Sequence, residues 1–382
     1  MQTCIDLFEG IEDPRTSNAT RHDLHDLLMI GLLTIICGGE GCTDMAIFGR
    51  EKEDFLRRFL KLEHGIPSHD AFSDLFRILD PAGLQHVLLR LVRGWGERFG
   101  EDVIAIDGKA LRRSFADTSR RSPLHLVQAF ASEAKLVLGQ VRVSDKSNEI
   151  TALPALLDLL DIDGRTVTVD AMHTQRSTAE TVVERNGHYI LALKGNQGTL
   201  NEDVRLYMED PDFAHATDMS PDVVEKDHGR IETRRAGVCT DIDWLQERHG
   251  WPGLVAIGSV GSERHVKGNT TSETRYFLMS EALDPSVFLS RVRAHWGIEN
   301  SLHWVLDVTM NEDQQRTREG NGAENMAMMR RMALNMVRGM RERKKTSVRS
   351  KLKRAGWNND FLLEIIQAAS YGMAEYEKIQ KR

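Results

Sequence analysis

A short apolar strand that ends in an aspartate occurs twice in this chain, and this repetition constrains the fold more than any other feature. The first copy, 103–107, reads VIAID, and the second, 166–170, reads TVTVD. The pattern around them predicts five further elements: a hairpin over 124–143, helices over 150–160, 178–185 and 200–208, and a strand over 189–193. Alternating strands and helices predict the α/β fold class, with a mixed sheet flanked by helices.

The regions on either side of this alternating segment predict other architectures. Residues 20–80 follow the three-and-four spacing of buried helices, and three short helices of this kind fit a DNA-binding helix-turn-helix unit as well as other helical units. Residues 217–282 contain short β-leaning segments among turns. From residue 284 the pattern becomes helical again, with one long helix predicted over 286–308 and another over 323–338.

These patterns predict a division of the chain into five parts. They are an N-terminal helical domain (1–95), the first part of an α/β core (96–212), a β-rich insertion (213–283), a helical completion of that core (284–340) and a basic helical tail (341–382).

The charge distribution gives mixed signals about a nucleic-acid partner. A net charge of −7 is unfavourable for binding phosphates as a whole. Residues 338–354, however, carry nine Lys or Arg and one acid. This basic run fits a solvated helix face as well as a DNA contact, and the sequence alone leaves both open.

Cysteine usage and hydropathy indicate the compartment. The four cysteines are scattered without a C-x-x-C pair, so we expect neither a zinc site nor a disulfide framework, and a reducing cytoplasm fits best. The apolar segment 24–37 is too short to span a bilayer, and the N-terminus has no signal-peptide pattern. We therefore expect no membrane association.

A third acid stands in an unusual setting, the run HWGIENSLHW, which contains Glu299. On a helix, Glu299 shares one face with His295 and His303, four positions away on either side. A glutamate held against aromatic bulk is costly to desolvate unless it meets a cation. That cation is either Arg291 or Arg293 in an ion pair, or a bound metal.

Three carboxylates together favour a metal site. Asp107 and Asp170 follow strands expected to be neighbours, and the carboxyl ends of such strands form ligand sites, although either aspartate alone also fits a helix cap or a turn. Mg²⁺ prefers oxygen ligands, and a pair of such ions activates a nucleophile for phosphoryl displacement. Because no H-E-x-x-H motif is present, zinc is disfavoured.

Several runs resemble a known family. They are IAIDGKALRRS, VTVDAMHTQ, YILALKGNQ, DHGRIETR and HWGIENSLHWVLDVTMNEDQQRTREGNGAENMAMMRRMALNMVR, with DPR near residue 13 and HGIPSHDAFSDLF at 64–76. Together they resemble the bacterial insertion-sequence transposases of the H-repeat-associated (ISAs-type) group, in the DDE superfamily. The resemblance implies a ribonuclease-H-like core interrupted by a β-rich insertion, with Asp107, Asp170 and Glu299 as catalytic, metal-binding acids.

The expected phosphate contacts around the glutamate differ from those of related transposases. Those carry Tyr, Arg and Lys at offsets −7, −4 and +7, where this chain has Val292, His295 and Leu306. We expect Arg291, Arg293 or His295 to replace them.

Further cations flank the acids and are candidates for DNA contacts, although each also fits a solvated surface position: Lys109, Arg112, Arg113, Lys194 and Arg230. Asp307 is the alternative third acid. Trp296 and Trp304 fit core positions better than base-stacking platforms.

The resemblance implies a transposase that acts on double-stranded DNA. Its substrates would be the terminal inverted repeats of its element and the target DNA, and Mg²⁺ or Mn²⁺ would serve both strand hydrolysis and strand transfer. Joining two ends implies a homodimer in the synaptic complex, in the cytoplasm at the bacterial nucleoid. A domesticated endonuclease with the same core, and a DNA-binding relic without activity, are the alternatives; three intact acids argue against the relic.

Overall fold

The computed structural model describes residues 7–16, 20–95, 103–114, 123–143, 149–227, 229–340 and 346–380. The N-terminal part is helical: α1 (Leu24–Ile36), α2 (Cys42–Glu51), α3 (Glu53–Leu56), α4 (His69–Ile78) and α5 (Pro81–Arg93). The alternating segment follows: β1 (Val103–Leu111), β2 (Leu124–Ala131), β3 (Leu136–Arg142), α6 (Glu149–Asp158), β4 (Thr166–Val169), α7 (Arg176–Glu184), β5 (His188–Leu193) and α8 (Thr199–Glu209).

The second half of the chain adds strands and then helices. The strands and the helix among them are β6 (Thr217–Met219), β7 (Val223–Asp227), β8 (Arg230–Cys239), α9 (Asp243–His249), β9 (Ala256–Val266) and β10 (Asn269–Met279). The helices are α10 (Pro285–His295), two π-helical segments (Glu299–His303 and Val305–Thr309), α11 (Gly322–Gly339), α12 (Val348–Trp357) and α13 (Asn359–Gln380).

One mixed sheet runs through the molecule in the order β3-β2-β1-β4-β5-β10-β9-β8-β6, with β7 paired to β8. The hairpin β1–β2–β3 is antiparallel, whereas β1, β4 and β5 are parallel. The four residues of β4 are all buried, as expected of a parallel strand covered on both faces. The predicted α/β class, the hairpin and the ribonuclease-H-like order of the core strands are confirmed.

The strands after α8 continue the core sheet. β10 pairs antiparallel with β5, with Tyr276 opposite Leu193, and β9 and β8 follow. The first half of β10 is exposed and its last four residues are buried. Consequently the β9–β10 hairpin is anchored in the sheet at one end and reaches into solvent at the other.

A close approach between α10 and β9 fixes this part of the sheet. A Cβ placed on Gly258 would lie 2.6 Å from the Phe288 ring of α10, closer than real Cβ contacts. Glycine at this position therefore lets α10 pack directly on the strand.

The methionine-rich helix α11 joins the N-terminal helices to the sheet. It packs against α1, α4 and α5 on one side and β3 on the other, within one continuous hydrophobic core. Two buried amides fix its position. Asn325 Nδ2 donates to the carbonyls of Phe76 and Leu79 at 2.8 and 2.9 Å, and Asn335 bonds both the N–H and the carbonyl of Val137.

The prediction of one long helix over 286–308 is wrong. The α-helix ends at His295, and two π-helical segments follow, in which the N–H of Trp304 bonds the carbonyl of Glu299 and that of Met310 bonds the carbonyl of Val305. These five-residue steps rotate the side chains relative to a four-residue spacing. Trp304 consequently points outward and is 56% exposed, so its predicted core position is also wrong.

Two members of the basic run bind backbone carbonyls. Arg338 donates to the carbonyls of Lys135 and Ser301, and Lys351 donates to those of Val337 and Met340 at 3.1 Å each. Residues 341–345 of the run lie outside the described residues. None of the helices in the described part of the chain combines the length and apolar character needed to cross a bilayer.

Candidate active site

Two aspartates from neighbouring parallel strands lie side by side. The register of β1 and β4 pairs Ile106 with Val169, so the next residues, Asp107 and Asp170, stand at the same level. Asp107 lies within β1, which continues four residues beyond it, whereas Asp170 directly follows β4. The predicted convergence therefore follows from the register, although Asp107 does not end its strand.

Asp170 also has the turn-forming role that a strand-end aspartate commonly plays. Its Oδ1 accepts the N–H of His173 at 3.2 Å, and its carbonyl accepts the hydroxyl of Thr174 at 3.2 Å. These bonds hold the start of the β4–α7 loop and leave the second carboxylate oxygen for another partner.

The third acid arrives on the first π-helical segment together with a histidine. His303 Nδ1 lies 3.5 Å from Glu299 Oε2 and 3.8 Å from Asp107 Oδ2. One ligand atom each from Asp107, Glu299 and His303 lie within 4.8 Å of one another. We call these three residues the acid–imidazole cluster. His303 was not predicted to be a candidate site residue. Its position four residues after Glu299 is the sequence feature that could have indicated it.

Burial controls the protonation of the cluster. It raises the pKa of the Asp107 carboxyl to about 6; His303 and the Gly108 N–H oppose this rise, and the charges of Glu299 and Asp170 add to it. The exposed Glu299 carboxyl has a lowered pKa because the His303 imidazole lies beside it. A buried carboxyl that resists ionisation beside two other acids indicates a site short of positive charge.

His295 stands beside Asp170 and is uncharged at neutral pH. Its Nδ1 lies 3.0 Å from the Thr168 hydroxyl, and burial lowers its pKa to about 4, against the attraction of Asp170. A neutral His295 carries no charge to offer a phosphate.

Three of the predicted cations are engaged in internal ion pairs. Lys109 is buried, with Nζ 2.6 Å from both carboxylate oxygens of Asp307. Arg291 bonds Thr166 Oγ1 at 2.7 Å and Glu281 at 2.6 Å, and Arg293 pairs with Glu225. Neither arginine pairs with Glu299 within the described residues, which excludes the ion-pair alternative for that acid there; its neighbour is His303.

The other predicted cations are more accessible. The Arg112 side chain is 81% exposed, 3.5 Å from Asp313, and Arg113 bonds Gln314. Lys194 is exposed just after β5 and, with Asp170 and His295, lines a cavity of about 70 Å³. Lys194 therefore borders Asp170, whereas Arg112 and Arg113 lie against the segment 313–314.

A cleft of about 580 Å³ extends from Glu299 over the face of β8, β9 and β10. Four arginines line it, namely Arg230, Arg234, Arg264 and Arg275. The Trp296 ring forms part of its wall, with the Arg234 and Arg275 guanidinium carbons 5.6 and 5.0 Å from the ring centroid. Only Arg230 of these was predicted, because an alternating strand places charges on its solvent face whether or not they bind a ligand.

The long run 295–338, which resembles the transposase family, also contains a buried ion pair that faces away from solvent. Arg331 bonds both carboxylate oxygens of Glu312 at 2.5 and 3.2 Å, and neither side chain is exposed. Arg331 also bonds Gln128 at 3.1 Å, and Arg330 bonds the Glu40 carbonyl at 2.7 Å. These residues join α11 to the sheet and to the N-terminal helices, so part of the most distinctive run is scaffold.

Comparison with known proteins places these features in a family. Residues 98–336 match the model of the transposase DDE domain, and residues 5–92 match that of the DDE_Tnp_1-associated region. The chain is 35% identical over 361 residues to a protein of Escherichia coli (strain K12) described as "H repeat-associated putative transposase YhhI", covering 93% of this chain and 95% of that protein.

Two further comparisons differ in weight. A protein of Xanthobacter autotrophicus, described as "Uncharacterized protein in dhlA 3'region", is 43% identical over 284 residues, covering 73% of this chain and 94% of that protein. A solved piggyBac transposase synaptic complex with hairpin DNA is similar at a TM-score of 0.43 and 13% identity, over 96% of this chain and 77% of that one, a likeness too weak to bear on function. The family match and the full-length relatives identify the chain as a member of the DDE transposase family.

Proposed function

We propose that this protein is a metal-dependent DNA transposase of an insertion sequence, which hydrolyses phosphodiester bonds at the ends of its element and joins them to target DNA. Asp107, Asp170 and Glu299 are the proposed catalytic and metal-binding acids. The observation that carries the proposal is the convergence of Asp107, Glu299 and His303 beside Asp170, at the mouth of an arginine-lined cleft.

The donor set supports a divalent cation. Asp107 and Asp170 present carboxylates from adjacent strands, and Glu299 closes the group from the π-helical segment. The raised pKa of Asp107 fits a carboxyl that ionises fully only with a cation beside it. When bound, Mg²⁺ (or Mn²⁺) would activate the attacking water or hydroxyl and stabilise the leaving oxygen.

The predicted cations separate into two roles. We propose that the accessible ones bind DNA phosphates: Arg112, Arg113, Lys194 and Arg230, joined by Arg264 and Arg275 of the cleft. Lys109 and Arg291, whose side chains are 6% and 18% exposed, hold carboxylates of the protein itself and position the strands and α10. Arg293 also pairs with a carboxylate, but its side chain is as exposed as that of Arg230, so it belongs with the phosphate-binding group. His295, being neutral, would contact a phosphate only as a hydrogen-bond partner.

The assembly of the protein on DNA would use the other parts of the chain and a second copy of it. Residues 1–95 would bind the inverted terminal repeats, and two copies of the chain would bring two ends together in a synaptic homodimer at the nucleoid. Residues 96–212 and 284–340 would form the catalytic core, 213–283 the insertion that carries the cleft, and 341–382 the basic tail.

The test is a cleavage assay on the DNA that flanks the gene, with and without Mg²⁺. We expect cutting at the inverted repeats only with the metal, and none by Asp107→Asn or Glu299→Gln. Glu180→Gln, an exposed acid on α7, is the matched control and should cut normally. Undiminished cutting by Asp107→Asn would refute the site. If the unaltered protein binds this DNA without cutting it, the result would favour a DNA-binding relic without activity.

The DNA path is tested separately by the salt dependence of binding. Removing one cation that binds a phosphate should reduce the slope of log K against log salt concentration by about 0.9. We expect this reduction for Arg230→Ala and Arg264→Ala, and an unchanged slope for Arg205→Ala, whose guanidinium pairs with Glu202 and Glu209 on α8. Unchanged slopes for both cleft variants would place the DNA elsewhere.

A further inference from the structure

We infer that His303 is a direct ligand of the active-site metal, so that the site consists of carboxylates and one imidazole and prefers Mn²⁺ to Mg²⁺. This inference rests on the proposed metal-dependent function and names one more residue of the same site.

The first observation is the environment of the imidazole. His303 is 6% exposed, and its Nε2 is buried without a hydrogen-bond partner among the described residues. Its Nδ1 faces Glu299 at 3.5 Å and Asp107 at 3.8 Å, both longer than an ordinary hydrogen bond. A buried ring is thus aimed at two carboxylates without bonding either closely.

The second observation is that the spacing fits donors that share an ion. Ligand atoms about 2.1 Å from one ion lie roughly 3.0 Å apart when adjacent and about 4.2 Å apart when opposite. The two distances from Nδ1 fall inside this range. A purely structural histidine would instead be expected to approach one oxygen to about 2.8 Å.

The ligand type then decides which ion the site prefers. Mg²⁺ favours oxygen ligands and keeps its waters, whereas an imidazole nitrogen suits transition metals better. With one imidazole added to the three carboxylates, the site should bind Mn²⁺ more tightly than Mg²⁺. Removing the imidazole should therefore weaken Mn²⁺ binding more than Mg²⁺ binding.

Electron spin-echo envelope modulation of Mn²⁺ bound to the full chain tests the assignment directly. A bound imidazole gives ¹⁴N modulation, which should change to a ¹⁵N pattern when the protein is made with ¹⁵N-histidine. The modulation should disappear in His303→Asn and persist in His295→Gln, the matched control from the neighbouring site. Calorimetric titration should show Mn²⁺ binding weakened by at least about 10–100-fold in His303→Asn, because loss of a direct ligand costs no less than loss of an outer-shell partner, with a smaller change for Mg²⁺.

The outcomes separate this inference from the proposed function. Bound Mn²⁺ without histidine modulation overturns the role of His303 and leaves the metal-dependent transposase intact. Modulation that survives in His303→Asn and is lost in His295→Gln also overturns it. Failure of the unaltered protein to bind any divalent cation overturns the proposed function itself. Should His303→Asn not fold, His303→Gln takes its place, and ¹⁴N modulation that persists in that variant overturns the assignment.

Discussion

Two groups of charged residues, each with a glutamate between residues 299 and 312, differ in how their negative charge is balanced. In the acid–imidazole cluster, Asp107 and Glu299 face each other with His303 between them. Thirteen positions after Glu299, Glu312 is fully buried but held by both nitrogens of the Arg331 fork. The first group has more negative charge than its own side chains balance, and the second is balanced.

The pKa values of the buried acids in the two groups shift in opposite directions. Burial raises the pKa of Asp107 to about 6, and His303 only partly offsets it. Burial also opposes ionisation of Glu312, but Arg331 and Arg330 outweigh it and lower its pKa. A buried acid with its own cation is therefore part of the scaffold here, whereas one that faces other acids is available for a ligand.

The largest expected effect tests the balanced group. Glu312→Gln leaves the Arg331 charge buried without a counter-charge, so we expect the free energy of unfolding to fall by about 3–5 kcal/mol. Urea denaturation followed by circular dichroism measures it. Glu319→Gln, an exposed acid 3.3 Å from Arg77, should change it by less than about 1 kcal/mol. Equal effects of the two variants would show that burial does not distinguish them.

The next effect tests the unbalanced group. Asp107→Asn should reduce single-turnover DNA cleavage by at least about 100–1000-fold. The free energy of unfolding of this variant without metal should stay unchanged or rise, because a buried carboxyl that faces Glu299 and Asp170 has been removed. Both quantities are measured on one preparation. A destabilisation as large as that of Glu312→Gln would assign Asp107 to the scaffold.

A third effect concerns the pH dependence of stability at His295. Its pKa is about 4 in the folded protein, below the usual 6.5, so the unfolded chain binds more protons between these values. The stabilisation is present above pH 6.5 and is lost as the pH falls towards 4. Between pH 7 and pH 5 the unaltered protein should lose about 1–2 kcal/mol more than His295→Gln. Urea midpoints at the two pH values measure this, and parallel losses would mean that His295 is charged in the fold.

The smallest effect separates Glu299 from the alternative third acid. Asp307→Asn keeps an acceptor for Lys109, and because the Asp307 side chain is 27% exposed, water still screens the Lys109 charge, unlike that of Arg331. We therefore expect a loss of about 1 kcal/mol in stability and less than about 10-fold in cleavage. Glu299→Gln should abolish cleavage and weaken Mn²⁺ binding in calorimetry. The reverse pattern, in which only Asp307→Asn abolishes metal binding, would make Asp307 the third acid.

The sequence by itself determined the elements whose evidence is local. The strands at 103–107 and 166–170, the hairpin between them and the helical N-terminus follow from short-range patterns of apolar residues. Two aspartates after similar strands were sufficient to predict that Asp107 and Asp170 lie together, since adjacent parallel strands leave their side chains at one level. The family resemblance supplied the fold name and Glu299.

Only the tertiary structure decided which charges meet. The pairing of β10 with β5, the partners of Lys109 and Arg293, and the cleft of β8–β10 all join residues far apart in the chain. Periodicity also could not reveal the π-helical segments, because their five-residue hydrogen bonds leave the apolar pattern nearly helical. Those segments bring His303 towards Asp107 and turn Asp307 to Lys109. The spacing of residues along the chain can be read from the sequence, but the charge that each side chain faces depends on long-range packing.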